Sequence, residues 1–176
     1  MDISDEISIE IPNSWCWCRL NSVISLLSGR DLLPNKYNNK KIGVPYITGA
    51  SNIHNETIIV NRWTDSPATI SQKGDLLITC KGTIGSICIN NLGRLHIARQ
   101  IMAITPIIIK TSYIQIFIET QIKGLQAKAK SMIPGISRND ILFALFPLPP
   151  LSEQERIVKS YIDLSSKIKP ITDHET

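Results

Sequence analysis

Short apolar runs separated by turns dominate the first 105 residues of this chain. The runs are rich in isoleucine and other β-branched residues, which favour strands over helices. Glycine, asparagine and proline stand between the runs, where a chain commonly reverses direction. Closely spaced runs of this kind predict a largely antiparallel, twisted sheet or partial barrel. The predicted strands are residues 15–20, 44–48, 57–60, 76–80, 87–89 and 100–105.

The apolar spacing becomes helical after Pro106, and a first helix is predicted to run to about residue 128. Three pairs of residues with capping-box spacing predict where three helices begin: Ser112 with Gln115, Ser137 with Asp140, and Ser152 with Glu155. The third helix is expected to end before Pro170, because proline interrupts the helical hydrogen-bond ladder. Upstream, Asn21 is expected to cap a short helix that stops at Gly29.

The proline-rich segment 147–150 cannot lie inside a helix and is predicted to form a stiff, extended bridge to the last helix. That helix carries one apolar stripe, formed by Ile157, Tyr161, Leu164 and Ile168. A stripe that follows a rigid bridge suits projection from the body and packing against a partner. A helix folded back on its own domain is the alternative. The predicted fold class is therefore α/β in the mixed α+β sense, a partial barrel or sheet with flanking helices and a C-terminal helix.

Charge and cysteine content narrow the possible functions. The net charge is +4 and the pI about 8.9, a mild basic bias that permits contact with a phosphate backbone. Cys16 and Cys18 are one residue apart and no Cys-x-x-Cys occurs, so no metal site is expected. Free thiols, an acidic N-terminus and the lack of an apolar run of about 18–20 residues indicate a cytoplasmic protein without a membrane segment.

Motifs for catalysis are not recognisable. Gly82 and Gly85 flank two residues between predicted strands, which is too short for a phosphate-binding P-loop and indicates a tight turn. Leu148-Pro149-Pro150-Leu151 lacks the polar and aromatic residues that frame the Pro-Pro motif of adenine methyltransferases. Neither a Ser-His-Asp nor a Cys-His arrangement is compelling. We therefore predict a non-catalytic chain with no cofactor of its own.

Several stretches, in order along residues 11–168, resemble the specificity subunits of type I restriction-modification systems. The strongest is the segment 147–158, which is similar to the signature PLPPLxEQxxIV that joins a target recognition domain to a spacer helix. Weaker likenesses to the family patterns IPxxWxWxxL, SG, IPYI, GDIL, GxxG and the segment before PLPPL lie at residues 11–20, 28–29, 44–47, 74–78, 82–85 and 134–141.

The resemblance implies a subunit that recognises a DNA sequence and directs methyltransferase and restriction subunits to it. Those partners, rather than this chain, would carry S-adenosylmethionine, ATP and magnesium. It also implies a division into a flexible lead-in (1–11), a recognition domain (12–150) and the start of a spacer or dimerisation helix with a tail (151–176). Since a full subunit has two recognition domains and two long helices, the chain is either a half-subunit that pairs with itself or a fragment.

Polar and basic residues in the predicted loops are the candidates for contact with double-stranded DNA. Arginine and lysine neutralise phosphates, arginine also reads guanine, and asparagine can pair with adenine. For Asn52 a turn residue is the alternative. The candidates are Arg30, Lys36, Lys40, Lys41, Thr48, Ser51, Asn52, Lys81, Thr83, Arg94, Arg99, Gln100 and Arg138. An alternative function is an interaction module or decoy that docks on the methyltransferase without reading DNA.

Overall fold

The computed structural model describes residues 3–129 and 135–172. Within those ranges the chain forms twelve strands and three α-helices, joined by short turns and 3₁₀ segments. The strands are β1 (Cys16–Arg19), β2 (Ile24–Ser28), β3 (Val44–Ile47), β4 (Ile53–His54), β5 (Thr57–Ile58), β6 (Trp63–Thr64), β7 (Ile70–Ser71), β8 (Leu76–Thr79), β9 (Ile87–Ile89), β10 (Leu95–Ile97), β11 (Ile101–Pro106) and β12 (Leu145–Leu148). The helices are α1 (Thr111–Ala129), α2 (Arg138–Leu142) and α3 (Leu151–Thr172).

The central sheet has the order β2-β11-β8-β9, and all its pairs are antiparallel. Its middle strands are apolar at consecutive positions because both faces of the sheet are buried. Leu76 and Ile78 face a core shared with α1 and α2, whereas Leu77 between them joins a second core on the other side. The same alternation places Met102 in the first core and Ile101 in the second.

The second sheet has the order β6-β3-β10-β7 and covers the other face of the central sheet. Strands β3 and β10 run parallel, with Tyr46 opposite His96 and Ile47 opposite Ile97. The remaining pairs among the described strands are antiparallel, which confirms the predicted mostly antiparallel architecture, and no sheet of the described residues closes on itself. Pro45 precedes the two residues of β3 that pair with β10, Tyr46 and Ile47, so its missing N–H falls outside that ladder.

The segment 24–28, predicted as part of a helix begun by Asn21, is strand β2, and that prediction was wrong. Only Leu20–Ser22 forms a single 3₁₀ turn. The five residues of β2 pair with β11 along their whole length, from Ile24 opposite Pro106 to Ser28 opposite Met102. Tertiary pairing of this kind overrides a weak local preference for helix.

The predicted capping boxes have different outcomes. At α2 the box is present: the Ser137 hydroxyl accepts the Asp140 backbone N–H at 3.2 Å, and the Asp140 carboxylate accepts the Ser137 N–H at 2.8 Å. The boxes at Ser112 and Ser152 were wrong, because α1 and α3 begin one residue earlier. Both serines lie inside the first turn.

Backbone carbonyls and a proline set those two helix starts. The Lys110 carbonyl accepts from residues 113 and 114, and the Pro150 carbonyl accepts from residues 153 and 154. Helix α3 also passes Pro170, where it was predicted to stop. Pro170 stands two residues from the helix end, so the hydrogen bond that its missing N–H removes is among the last of α3.

Helix α3 is fixed to its own domain over its first two turns. The buried Gln154 accepts the Lys110 backbone N–H at 2.9 Å and donates to the Pro149 carbonyl at 3.0 Å. Ile157 and Val158 pack against the first core. The proline bridge is partly a strand, because β12 pairs with β1 in a two-stranded ladder. None of the helices, over the part of the chain that the structure describes, has the length and apolarity needed to cross a bilayer.

The segment 3–11, predicted as a flexible lead-in, contacts β1. The indole Nε1 of Trp17 donates to the Ile9 carbonyl at 3.3 Å, and the Arg19 guanidinium forms an ion pair with Glu6. Residues 1–2 and 173–176 lie outside the described residues.

Candidate nucleic-acid interface

The ends of two parallel strands bring the first pair of loops together. Because β3 and β10 run parallel, their carboxyl ends lie at the same edge of the sheet. The Ala98 backbone N–H, just after β10, donates to the Ile47 carbonyl at the end of β3 at 2.9 Å. The loop that begins at Thr48 therefore lies beside the turn that contains Arg99.

The start of β11 adds two further strand ends to this place. Since β11 is antiparallel to both β2 and β8, it begins where they end. Gly29 N–H donates to the Ile101 carbonyl at 3.0 Å, and Cys80 N–H donates to the Gln100 carbonyl at 2.8 Å. Four segments distant in sequence thus meet at one edge. We call residues 28–31, 48–51, 80–85 and 98–100 the strand-end cluster.

Two glycines allow the close approach within the strand-end cluster. A Cβ atom on Gly29 would lie 2.1 Å from the Ala98 carbonyl oxygen, inside any tolerable contact. A Cβ on Gly49 would lie 2.2 Å from Oε1 of Gln100, so this glycine leaves the space that the Gln100 amide occupies. Gly82 and Gly85 have φ values of 73° and 89°, which confirms the tight turn predicted between two strands.

Six of the predicted DNA-contacting side chains are exposed in the strand-end cluster: Arg30, Ser51, Lys81, Thr83, Arg99 and Gln100. Arg138 lies beside them, because its Nη1 donates to the Ser28 hydroxyl at 2.9 Å. The strand-end cluster holds three of the basic groups of this set and one carboxylate, that of Asp31. The resulting surface combines positive charge, which binds phosphates, with amide and hydroxyl groups, which can form hydrogen bonds with base edges.

Thr48 and Asn52 belong to the same loop but face inward. Asn52 is completely buried. Its Oδ1 accepts the Thr48 backbone N–H at 2.9 Å and the Thr48 hydroxyl at 3.0 Å, and its Nδ2 donates to the Ile59 carbonyl at 2.8 Å. These bonds hold the loop closed, so Asn52 cannot reach a base without breaking them. The geometry matches the alternative considered for Asn52, a turn residue.

A buried histidine supports the cluster from beneath. His96 Nδ1 accepts the Thr69 N–H at 3.1 Å, so the ring proton sits on Nε2, which donates to the Arg30 carbonyl at 2.8 Å. Burial lowers the pKa of His96, which keeps the ring neutral. The Tyr46 hydroxyl next to it accepts the Leu32 N–H at 3.3 Å. Together they fix the backbone on both sides of Asp31.

The three predicted lysines occupy a separate loop, residues 34–43, which we call the lysine loop. Asn38 organises it: Oδ1 accepts the N–H groups of Lys40 and Ile42 at 2.9 and 3.2 Å, and Nδ2 donates to the Ile42 carbonyl at 2.9 Å. Lys41 has a left-handed backbone with φ 62°. Lys36, Lys40 and Lys41 are all exposed and no ion pair of theirs is seen among the described residues.

Arg94 is not part of either region. It lies in the turn that precedes β10, at the opposite end of that strand from Arg99. The Gly93 carbonyl in this turn accepts from the buried Asn90 amide at 2.8 Å. The structure therefore does not bring Arg94 together with the other basic candidates.

Sequence reasoning missed three residues around these regions. Asp31 binds Arg99, His96 supports Arg30, and the Arg62 guanidinium lies 5.1 Å from the centre of the Tyr37 ring. The contacts span 25 to 68 residues, and local spacing carries no signal for such pairs. Arg62 alone had a local signal, since it follows the strand run 57–60 in a polar stretch.

The apolar stripe predicted on α3 divides into two parts. Ile157 is half-buried on the domain's own core, and the Tyr161 hydroxyl donates to Glu119 of α1 at 2.5 Å. Leu164, in contrast, is 60% exposed. The side chain of Ile168 lies outside the described residues. The first part of the stripe thus follows the alternative of a helix folded back on its own domain.

All four cysteines are free thiols; Cys80 and Cys88 are buried, Cys18 is partly buried and Cys16 is exposed. Burial raises the pKa of Cys88 to about 12 and also raises that of Cys80. In the ranges that the structure describes, no group of three or more histidine, cysteine, aspartate or glutamate side chains could hold a metal ion.

Comparison with known proteins identifies the family to which this chain is similar. Residues 12–172 match the family described as the type I restriction modification DNA specificity domain. A curated protein of Methanocaldococcus jannaschii, named as a type I restriction enzyme MjaX specificity subunit, is 26% identical over 160 residues, covering 85% of this chain. The chain spans 36% of the length of that relative.

Solved structures share the fold. The HsdS subunit of Thermoanaerobacter tengcongensis has a TM-score of 0.86 and 24% identity, over 96% of this chain and 42% of its own. A chain from a structural study of complex assembly and conformational transition in the type I restriction-modification system has a TM-score of 0.88 and 24% identity, over 95% and 42% of the two chains. An S subunit from M. genitalium has a TM-score of 0.62 at 13% identity, over 94% and 43%.

Proposed function

Because the chain belongs to the family of type I restriction modification DNA specificity domains, we propose that it recognises a short sequence in double-stranded DNA through the strand-end cluster. The observation that carries this proposal is the convergence of four strand ends, which present Arg30, Lys81, Arg99 and Gln100 on one edge. The strands fix the backbone positions from which these side chains extend. A reading site needs such support, since base discrimination depends on fixed hydrogen-bond geometry.

Two kinds of contact are proposed. Arg99 and Gln100, adjacent in the turn before β11, offer fork-shaped groups of the type that bind guanine and adenine edges. Arg30, Lys81 and Arg138 flank them and suit phosphate contacts that set the register. The lysine loop adds sequence-independent attraction, because its three ammonium groups are exposed. The chain's own contribution in this proposal is binding rather than catalysis.

We further propose that the chain works in the cytoplasm with a methyltransferase subunit and a restriction subunit. The support is the family, whose members are named for their part in restriction-modification systems. Methylation and cleavage would then be the work of the partners, directed by the sequence that this chain reads.

A selection experiment tests DNA reading. The purified chain, with its cognate methyltransferase subunit present, is incubated with a randomised duplex library at moderate salt, and bound DNA is sequenced. Enrichment of one short word is expected. Binding without enrichment would reduce the activity to phosphate affinity, and complex formation without DNA binding would support a docking module instead.

The outer side of α3 supports a second proposal, a contact with a protein partner or a second copy of the chain. Leu151, Ile162 and Leu164 are each more than half exposed, although the helix is anchored on its inner side. Replacing Ile162 and Leu164 by serine should weaken co-purification with the methyltransferase subunit or convert a dimer to a monomer. Unchanged assembly in sedimentation experiments would argue against this contact.

A further inference from the structure

Arg99 is held by one carboxylate at two points. Oδ2 of Asp31 lies 2.8 Å from Nε of Arg99, and Oδ1 accepts the Arg99 backbone N–H at 3.1 Å. The Arg99 side chain is nevertheless 69% exposed. A single carboxylate thus spans from the backbone of Arg99 to the inner nitrogen of its guanidinium, and the rest of the group extends into solvent.

This arrangement uses one side of the guanidinium and leaves another side available. Arginine has five N–H donors in a planar fork, and the Asp31 carboxylate engages the one on Nε. Among the described residues no hydrogen bond from Nη1 or Nη2 is seen, so the outer edge of the fork points away from the protein's own acceptors. Two parallel N–H groups at that edge match the O6 and N7 acceptors of guanine in the major groove.

Asp31 is itself held in place from both neighbouring residues. The Arg30 N–H donates to the Ile97 carbonyl at 3.0 Å, and the Arg30 carbonyl accepts from buried His96 at 2.8 Å. On the other side the Leu32 N–H donates to the Tyr46 hydroxyl. Since both supporting side chains are buried, the carboxylate stands on a rigid base.

The charge of Asp31 changes what Arg99 can contribute. An exposed ion pair adds little to the free energy of unfolding, so stabilisation of the fold does not explain why Asp31 and Arg99 are paired. The carboxylate compensates the positive charge of Arg99 and repels phosphate oxygens, which makes Arg99 a poor phosphate contact. Hydrogen bonding to a neutral base edge carries no such penalty.

We propose that Asp31 is a specificity-determining positioning residue, which holds Arg99 so that the outer edge of its guanidinium reads a guanine at one position of the DNA target. The inference rests on the proposed function. Beyond that function, it names guanine as the base read at one position. It also assigns a role in specificity to Asp31, which itself touches no DNA.

The test compares variants on the word that the wild-type complex selects. For each G·C pair of the word, affinity is measured for the word and for the same duplex with that pair changed to A·T. The ratio compared is the affinity for the selected word divided by the affinity for the changed duplex. At one position this ratio should be about 5- to 150-fold for the wild type, as one bidentate arginine–guanine contact provides. Arg99→Ala should bring that ratio close to 1, and Asp31→Ala should lower it several-fold.

Two controls separate positioning from general effects. Glu10→Ala removes the same charge from an exposed position in the segment 3–11, outside the strand-end cluster and outside α3, and should keep the wild-type ratio. The slope of affinity against salt should be nearly unchanged in Arg99→Ala, because the paired guanidinium makes no phosphate contact. Replacing the guanine by 7-deazaguanine should weaken the wild type but not Arg99→Ala.

Failure has two distinguishable forms. If the wild-type complex selects no word, the proposed function falls and this inference with it. If a word is selected but Asp31→Ala keeps the wild-type ratio at every G·C pair, the positioning role of Asp31 is overturned while DNA reading stands.

Discussion

The strand-end cluster and the lysine loop both present positive charge, but they are built differently. The cluster is assembled from four segments between residues 28 and 100, joined by backbone hydrogen bonds at strand ends. The lysine loop is one continuous segment closed by the side chain of Asn38. A structure that must distinguish bases needs fixed directions, whereas attraction to phosphates needs only charge within reach. The difference suggests reading in the cluster and attraction in the loop.

The largest expected effect tests whether the cluster depends on close backbone contact. Gly29→Ala would place a Cβ 2.1 Å from the Ala98 carbonyl oxygen, and the backbone must shift to relieve it. We expect a loss of about 3 kcal/mol in the free energy of unfolding, measured by urea denaturation. Gly124→Ala is the control, because a Cβ there would meet nothing within 4 Å beyond its chain neighbours and the backbone of its own helix, and α1 should gain up to about 1 kcal/mol. Equal stabilities of the two variants would contradict the argument.

A smaller loss in the free energy of unfolding is expected when Asn52 is replaced, the residue whose buried amide closes the loop that begins at Thr48. Asn52→Ala leaves the Thr48 N–H and the Ile59 carbonyl without their partner and should cost about 2 kcal/mol. The neighbouring Ser51 is exposed, so Ser51→Ala should keep stability and affect only DNA binding. Thermal unfolding of both variants measures the contrast. A stable Asn52→Ala variant with altered base preference would instead make Asn52 a reading residue.

The lysine loop should change DNA affinity without changing base preference. Replacing Lys36, Lys40 and Lys41 together by alanine should reduce the slope of log affinity against log salt by about 0.9 for each lysine that touches phosphate. The selected word should stay the same, because no fixed donor is removed. Titrations at several salt concentrations measure the slope. A changed word would mean that the loop takes part in reading, and the comparison with the cluster would fail.

The smallest effect concerns His96, which connects the two regions through Arg30 and through Tyr46, whose ring lies 5.5 Å from that of Tyr37. Burial lowers the pKa of His96 below its ordinary value of 6.5, so the unfolded chain binds this proton more readily than the folded chain. The contribution of neutral His96 to the free energy of unfolding is therefore fully present above pH 6.5. It is lost as the pH drops below that value, by at most about 1.4 kcal/mol per pH unit.

Urea unfolding at pH 7.5 and 5.5 tests this dependence. The window stays above the range in which carboxylates titrate. His54→Gln should keep the dependence, because that ring is exposed. The same free energy of unfolding at both pH values would exclude a buried neutral His96.

Local patterns predicted much of this protein. Consecutive apolar residues at 76–78 and 101–104 predicted strands β8 and β11, because a strand buried on both faces is apolar at successive positions. The capping box at Ser137 predicted α2 through contacts only three residues apart. The turn between Gly82 and Gly85 followed from the need for positive φ. The resemblance carried by residues 147–158 indicated the family.

Tertiary structure alone decided the rest. Ile24–Ser28 became a strand because β11 offered five pairing positions, although the local sequence suggested a helix. The order of strands in the sheets brought Asp31 into contact with Arg99 and placed Arg94 away from Arg99. Helix periodicity and turn chemistry involve residues a few positions apart, so a sequence records them directly. Contacts across 68 residues depend on which strands pair, and that is settled only when the two cores are buried together.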